Sequence, residues 1–159
     1  MHIIINQKHI IMKKTIVLSA VIVAAMSLIA CHEKGKESIE FSELPQTAQT
    51  FVKAHFDDKQ ITVVYHDHDV SDDEYEVIFT DGANIDFTAK GEWDEVEDRD
   101  TNGVPQAIIP QGVLDYVATK HAGQYVVQIG KDSKFYDVEL NSTIEMIFNK
   151  KGEFIRYDD

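Results

Sequence analysis

Two kinds of apolar spacing alternate along the chain. Leu44, Ala48, Phe51 and Val52 recur at i, i+4, i+7 and i+8, and Ile109, Val113, Tyr116 and Val117 repeat that spacing further on. Each stretch predicts an amphipathic helix of three to four turns, headed by Leu44-Pro45-Gln46 or Ile109-Pro110-Gln111. The proline is expected in the first turn, where its missing N–H leaves no bond unmade. Elsewhere the period shortens to two. Alternation predicts strands at 61–66, 75–80, 83–88 and 93–97, then at 124–129, 135–140, 143–148 and 154–157. Asp81-Gly82 and Asn141-Ser142 predict tight hairpins. Gly91 and Gly152 predict turns that need a positive φ.

The two halves resemble each other. Tyr75-Glu76-Val77 matches Tyr136-Asp137-Val138, Phe79 matches Leu140, Ile85 matches Met146 and Phe87 matches Phe148. Lys90-Gly91-Glu92-Trp93 matches Lys151-Gly152-Glu153-Phe154. The expected fold is therefore α+β, a tandem repeat of a helix plus a four-stranded antiparallel sheet, with the helices on one face. The domain would span 44–158, its repeats 44–97 and 109–157, sharing one core because a unit of this size is marginal alone. The first half is longer between its helix and second strand, around His66-Asp67-His68-Asp69. Tyr75, Val77 and Phe79, with Tyr136, Val138 and Leu140, are expected to face the helices. The opposite face should meet water. It would carry Glu76, Ile78, Thr80, Asp86, Asp137, Glu139 and Glu145, and this is the expected partner-binding face. Tyr65, Ile78 and Val96 are its expected apolar points. Trp93, the single tryptophan, takes the place of Phe154 and is expected in the core.

The amino terminus follows a different logic. Lys13 and Lys14 precede a small and apolar run from Ile16 to Ala30, and Leu28-Ile29-Ala30-Cys31 follows the pattern of a bacterial lipobox. Residues 1–30 therefore read as a lipoprotein signal peptide with its true start at Met12, and Cys31, the only cysteine, as the lipidated residue. The run is shorter than the roughly 20 residues of a spanning helix. A membrane anchor or an ordinary secretory leader are the competing readings. The polar residues 31–43 read as a tether.

Charge narrows the partner. The chain has 159 residues, with 28 acids against 15 bases and a formal net charge of −13. That excludes a nucleic-acid partner, which needs local positive charge. It leaves a cationic partner, a calcium-rich setting or a merely solvated surface. One cysteine excludes a disulfide framework.

No catalytic motif is present: there is no G-x-S-x-G, P-loop or G-x-G-x-x-G. His66 and His68 alternate along a strand and so share a face, which makes them weak metal candidates beside the plainer reading of a polar strand end. Asp98-Arg99-Asp100-Thr101-Asn102-Gly103 copies half of a calcium loop, but the twelfth position is Ile109, which cannot ligate. That segment reads as a linker. His55 and His121 fall at the helix C-termini, where a capping or surface role suits the helix dipole.

The two Φ-P-Q helix starts, the Y-[DE]-V strands and the K-G-E-[WF] turns resemble the β-lactamase-inhibitor-like, PepSY-like family of exported Bacteroidetes proteins, across 44–158. The resemblance implies a fold like that of β-lactamase inhibitor protein. Its motifs are structural, so it carries over no functional residue. The expected function is an exported, lipid-anchored, non-catalytic binding module of the cell envelope, a protein or peptidase inhibitor in role, with no cofactor. Its partner would be an envelope protein or peptide, and it would meet the membrane only through the lipid, on the periplasmic side or the outer surface. A metal or small-ligand sensor is the alternative, and a hydrolase without a visible site is a third reading.

Overall fold

The computed structural model describes residues 35–68 and 73–158; the signal-peptide reading, Met12 and Cys31 lie outside them. Strand β1 (Lys36–Ile39) and a 3-10 turn (Phe41–Glu43) lead into helix α1 (Gln46–His55). Strands β2 (Ile61–His68), β3 (Asp73–Phe79), β4 (Asn84–Thr88) and β5 (Trp93–Glu97) follow. After helix α2 (Gln111–Lys120) come β6 (Val126–Lys131), β7 (Phe135–Leu140), β8 (Glu145–Asn149) and β9 (Phe154–Asp158). All nine strands form one sheet in sequence order, each antiparallel to its neighbours.

This corrects the expected tandem repeat of helix plus four-stranded sheet. Among the described residues the molecule is mostly sheet, one nine-stranded layer with only two α-helices. The physical reason is the pairing of β5 with β6, through Glu95–Gly130, Val96–Ile129 and Glu97–Gln128, which satisfies both central edges and makes the layer continuous. The tether reading is corrected as well. Lys36–Ile39 pairs with His66, Tyr65 and their neighbours on β2, and so adds a ninth strand.

The apolar residues of the helices and of one sheet face merge into a single core. Ala48 and Val52 of α1 and Val113 and Val117 of α2 join Val77, Phe79, Ile85, Phe87, Ile129, Val138, Met146 and Phe148. Each buried phenylalanine here contributes about 1.5–3 kcal/mol by leaving water. Phe51 meets Phe87 edge-on at 5.8 Å and stacks on Trp93 at 6.2 Å; Tyr116 meets Phe148 edge-on at 5.5 Å and stacks on Phe154 at 4.4 Å. Trp93 thus packs against the core from its edge.

Two local expectations shift. Pro45 and Pro110 are N-caps with ψ near 140°, one residue before the first turn, and the buried Leu44 and Ile109 precede them. Val96 lies wholly buried on the helix side, not on the outer face. The cause is a bulge: Asp86 pairs with Glu95 but Phe87 pairs with Trp93, so Asp94 is an extra residue that reverses the alternation.

Both helices are seated on turn glycines. Gly91 (φ +75°) lies so near α1 that an added Cβ would be 2.6 Å from Pro45 Cβ and 3.0 Å from the Ala48 nitrogen. Gly152 (φ +77°) abuts Gly112 and the Val113 nitrogen of α2, with contacts of 3.1–3.3 Å from such a Cβ. The K-G-E-[WF] turns therefore serve helix docking as well as chain reversal. Gly82 (φ +92°) has open space around it. Gly152→Ala is expected to lower stability by about 2–3 kcal/mol through backbone strain plus displacement of α2, against about 1 kcal/mol for Gly82→Ala, which adds strain alone. Urea unfolding of the two variants checks the difference; equal losses would contradict the docking role.

Candidate functional site

The face opposite the helices is built by cross-strand register. Tyr65 pairs with Glu76, Glu76 with Asp86, Asp86 with Glu95, Glu95 with Gly130 and Gly130 with Asp137. Because the side-chain period of a strand is two, these residues form one transverse row across β2 to β7. Three adjacent acids stand in it, although like charges directly opposite destabilise a sheet. Lys36 Nζ reaches Glu76 at 2.5 Å and lies 4.7 Å from the Tyr65 ring. Asp86 and Glu95 make no ion pair among the described residues. Burial first, then the charges of Glu76, Glu95 and Glu74, push the Asp86 carboxyl up to about 7, with Lys36 opposing. Burial and the nearby Asp158 likewise raise Asp137, against the pull of Arg156.

Glycine opens the middle of the row. A Cβ on Gly130 would lie 3.4 Å from Glu95 Oε2 and 4.0 Å from Asp137 Cβ, so the missing side chain leaves a slot about one methyl group wide between the Glu95 carboxylate and the stem of Asp137. That slot belongs to an open cleft of about 460 Å³ lined also by Ile147, Ile155 and Arg156. A second depression, about 220 Å³, is lined by Lys36, Tyr65, Asp67, Glu74, Glu76 and Asp86.

The face named from sequence is thus partly assembled. Glu76 and Asp86 are direct neighbours, and Asp137 stands beyond Glu95 and Gly130 in the same row. Ile78 is half-buried opposite Asn84. Glu139 and Glu145 pair with each other one row away, but Glu139 is held by Arg99, whose guanidinium also bonds Glu97. Thr80 is exposed past the end of β3 and binds Gln60 through its backbone. Sequence reading missed Glu95, because the bulge hides its phase, and Gly130, because an absent side chain leaves no pattern.

The Asp98–Gly103 segment holds a cation of its own, the Lys59 ammonium. Lys59 Nζ lies 2.9 Å from Asp98 and 3.3 Å from Asp100, and it also bonds Asp81. Asp98 is 2% exposed. Burial alone would lower the pKa of Lys59, but its hydrogen bonds to Asp81 and Asp98 lift it above the usual lysine range. Asp100 Oδ1 accepts from the Asn102 and Gly103 amides, and those bonds with Lys59 hold its carboxyl below the usual range.

His66 and His68 do come together. Their rings are 3.6 Å apart, His66 stacks on Tyr75 at 4.1 Å, and Glu37 of β1 joins them, with one ligand atom from each of the three within 4.8 Å of the others. Glu37 was missed because the sequence showed no strand there. His55 ends α1 and His121 is the C-cap of α2, where its Nε2 lies 3.3 Å from the Tyr157 hydroxyl.

The family model described as "Putative beta-lactamase-inhibitor-like, PepSY-like" matches residues 73–156. A Bacteroides thetaiotaomicron structure, "a putative calcium-regulated periplasmic protein", is 37% identical, with a TM-score of 0.75, over 78% of this chain and 97% of that one. A "putative periplasmic protein from DUF2874 family" of Bacteroides vulgatus is 35% identical, TM-score 0.73, over 78% and 97%. A third structure, from the same species and of unknown function, is 28% identical, TM-score 0.72, over 79% and 100%. No curated protein matches the chain.

Two outcomes follow from the charges. The native Asp86 pKa of about 7 lies above the roughly 3.9 of an unfolded aspartate, so the native state binds the extra proton and stability falls as pH rises between them. Asp86→Asn should therefore stabilise the protein at about pH 8 by about 1–2 kcal/mol, discounted for partial exposure, with little effect near pH 4. Thermal unfolding at both pH values checks it; a loss at pH 8 would contradict it. Lys59→Met leaves Asp98 buried and uncompensated and should lower stability by about 3–5 kcal/mol, partly restored by adding Asp98→Asn. Denaturant unfolding of the single and double variants measures this.

Proposed function

The chain belongs to the β-lactamase-inhibitor-like, PepSY-like family, and on that premise we propose that it is a non-catalytic binding protein of the periplasm or cell envelope. Its outer sheet face receives a lysine- or arginine-bearing segment of a protein partner. The observation that carries this is the row Glu76–Asp86–Glu95, continued through the Gly130 slot to Asp137. Side-by-side carboxylates oppose folding, and a partner's cations would relieve that repulsion on binding. The open cleft over Gly130 gives the cationic end of a side chain access to Glu95 and Asp137. The location rests on the three similar structures, each described as periplasmic. Attachment through a lipid on Cys31 belongs to the same proposal; Cys31→Ala should lose lipid labelling in the native host.

Calcium has a place in this reading. One similar structure is described as calcium-regulated. Carried to this chain, calcium would gather at the same acids and compete with a basic segment. The test is fluorescence anisotropy of a labelled Lys/Arg-rich peptide with the intact chain, at low and high salt. Saturable binding is expected that weakens with salt or calcium and falls about tenfold or more in Glu95→Lys and Asp137→Lys. Binding that survives both reversals would show that the row is not the site.

A further inference from the structure

We propose that Glu37, His66 and His68 form a binding site for a late first-row divalent transition metal, with Zn²⁺ as its simplest occupant. The site stands apart from the acidic row. Glu37 pairs with His66 across β1 and β2, His66 with Tyr75 and His68 with Asp73 across β2 and β3, so all five share the other face of the sheet at its β1 end. One ligand atom from each of Glu37, His66 and His68 falls within 4.8 Å of the others. His68 Nε2 and Glu37 Oε1 are 3.5 Å apart, matching the ~3.4 Å edge of a tetrahedron with bonds of about 2.1 Å.

The surroundings favour a dication. Asp73 Oδ1 lies 2.5 Å from His66 Nε2 and accepts a hydrogen bond from its N–H, which leaves Nδ1 as the nitrogen with a lone pair. That carboxylate–imidazole pair is the arrangement that orients and strengthens a histidine ligand. Stacking on Tyr75, with the planes 16° apart, fixes the His66 ring further. His68 and Glu37 are about half exposed, with side-chain exposures of 50% and 57%, so each can turn to open the imidazole pair around an ion. Among the described residues neither Glu37 nor Asp73 has an ion pair with lysine or arginine, and the two carboxylates together balance a 2+ charge. Two imidazoles and one carboxylate suit zinc, nickel or copper, whereas calcium prefers oxygen alone. Three protein ligands leave a position for water, so the site is exchangeable.

Occupation has a mechanical consequence. β1 is four residues long with no fully buried side chain, and Glu37 is the ligand it contributes. A bound ion would clamp that edge strand to β2.

The experiment is calorimetric titration of the intact chain, purified without a polyhistidine tag, with Zn²⁺ and separately with Ca²⁺. Amide hydrogen exchange at Lys36–Ile39 is followed in parallel. One Zn²⁺ per chain is expected at micromolar concentration, with slowed exchange in β1. His68→Ala and Glu37→Gln, both exposed enough to leave the fold intact, should each weaken Zn²⁺ at least about tenfold, and His55→Ala should not. Absence of saturable Zn²⁺ binding, equal affinity in His68→Ala, or Ca²⁺ binding more tightly than Zn²⁺ would each overturn the site.

Discussion

An antiparallel sheet whose helices all lie on one side has one apolar face, and every other feature of this protein follows from that asymmetry. The β5–β6 pairing makes the sheet a single layer, so α1 and α2 share one core, where Val77, Ile85, Ile129, Val138 and Met146 are all fully buried. Both helices need their first turns close to the sheet, and the side chain missing at Gly91 and Gly152 permits it. The uncovered face then has to satisfy water, and acids do so.

The acids of the molecule fall into two groups, separated by what neutralises them. Lys59 compensates Asp98, Asp100 and Asp81, and Arg99 compensates Glu97 and Glu139. These are internal cations that hold loops and strands in place. The row from Glu76 to Glu95 has Lys36 at one end only, and burial with the neighbouring acids pushes the carboxyl of its middle member up to about 7. A surface required only for solubility gains nothing from packing its carboxylates side by side. The family likeness supplies the fold and its periplasmic relatives; the local electrostatics supplies the reading of a cation-seeking face.

Much of this was legible in the sequence because it is written in periods. Both helices and all eight expected strands occur, with ends moved by a residue or two. The errors have local causes. β1 escaped because Lys-Glu-Ser-Ile is too short to establish an alternation. Val96 was turned the wrong way by one bulge residue, and the same bulge hid Glu95. The tandem repeat of a helix plus a four-stranded sheet was wrong because the pairing of β5 and β6 is a tertiary event that neither strand announces. Of the candidate face, the acids could be named, but their partners could not. Lys36 meets Glu76 forty residues away and Arg99 meets Glu139 at the same separation, through register alone. Lys59 gave no motif, and only the fold revealed that it fills the half calcium loop.

The central claim is that recognition happens on the open sheet face. The most direct measurement is an NMR titration of the intact, isotope-labelled chain with a Lys/Arg-rich peptide, read at backbone amides and side-chain carboxyls. The account predicts shifts concentrated at Glu76, Asp86, Glu95, Gly130 and Asp137, with the Asp86 carboxyl losing its proton at a lower pH as the peptide saturates. Shifts confined to α1, α2 or the Asp98–Gly103 loop, with the Asp86 titration unmoved, would contradict it.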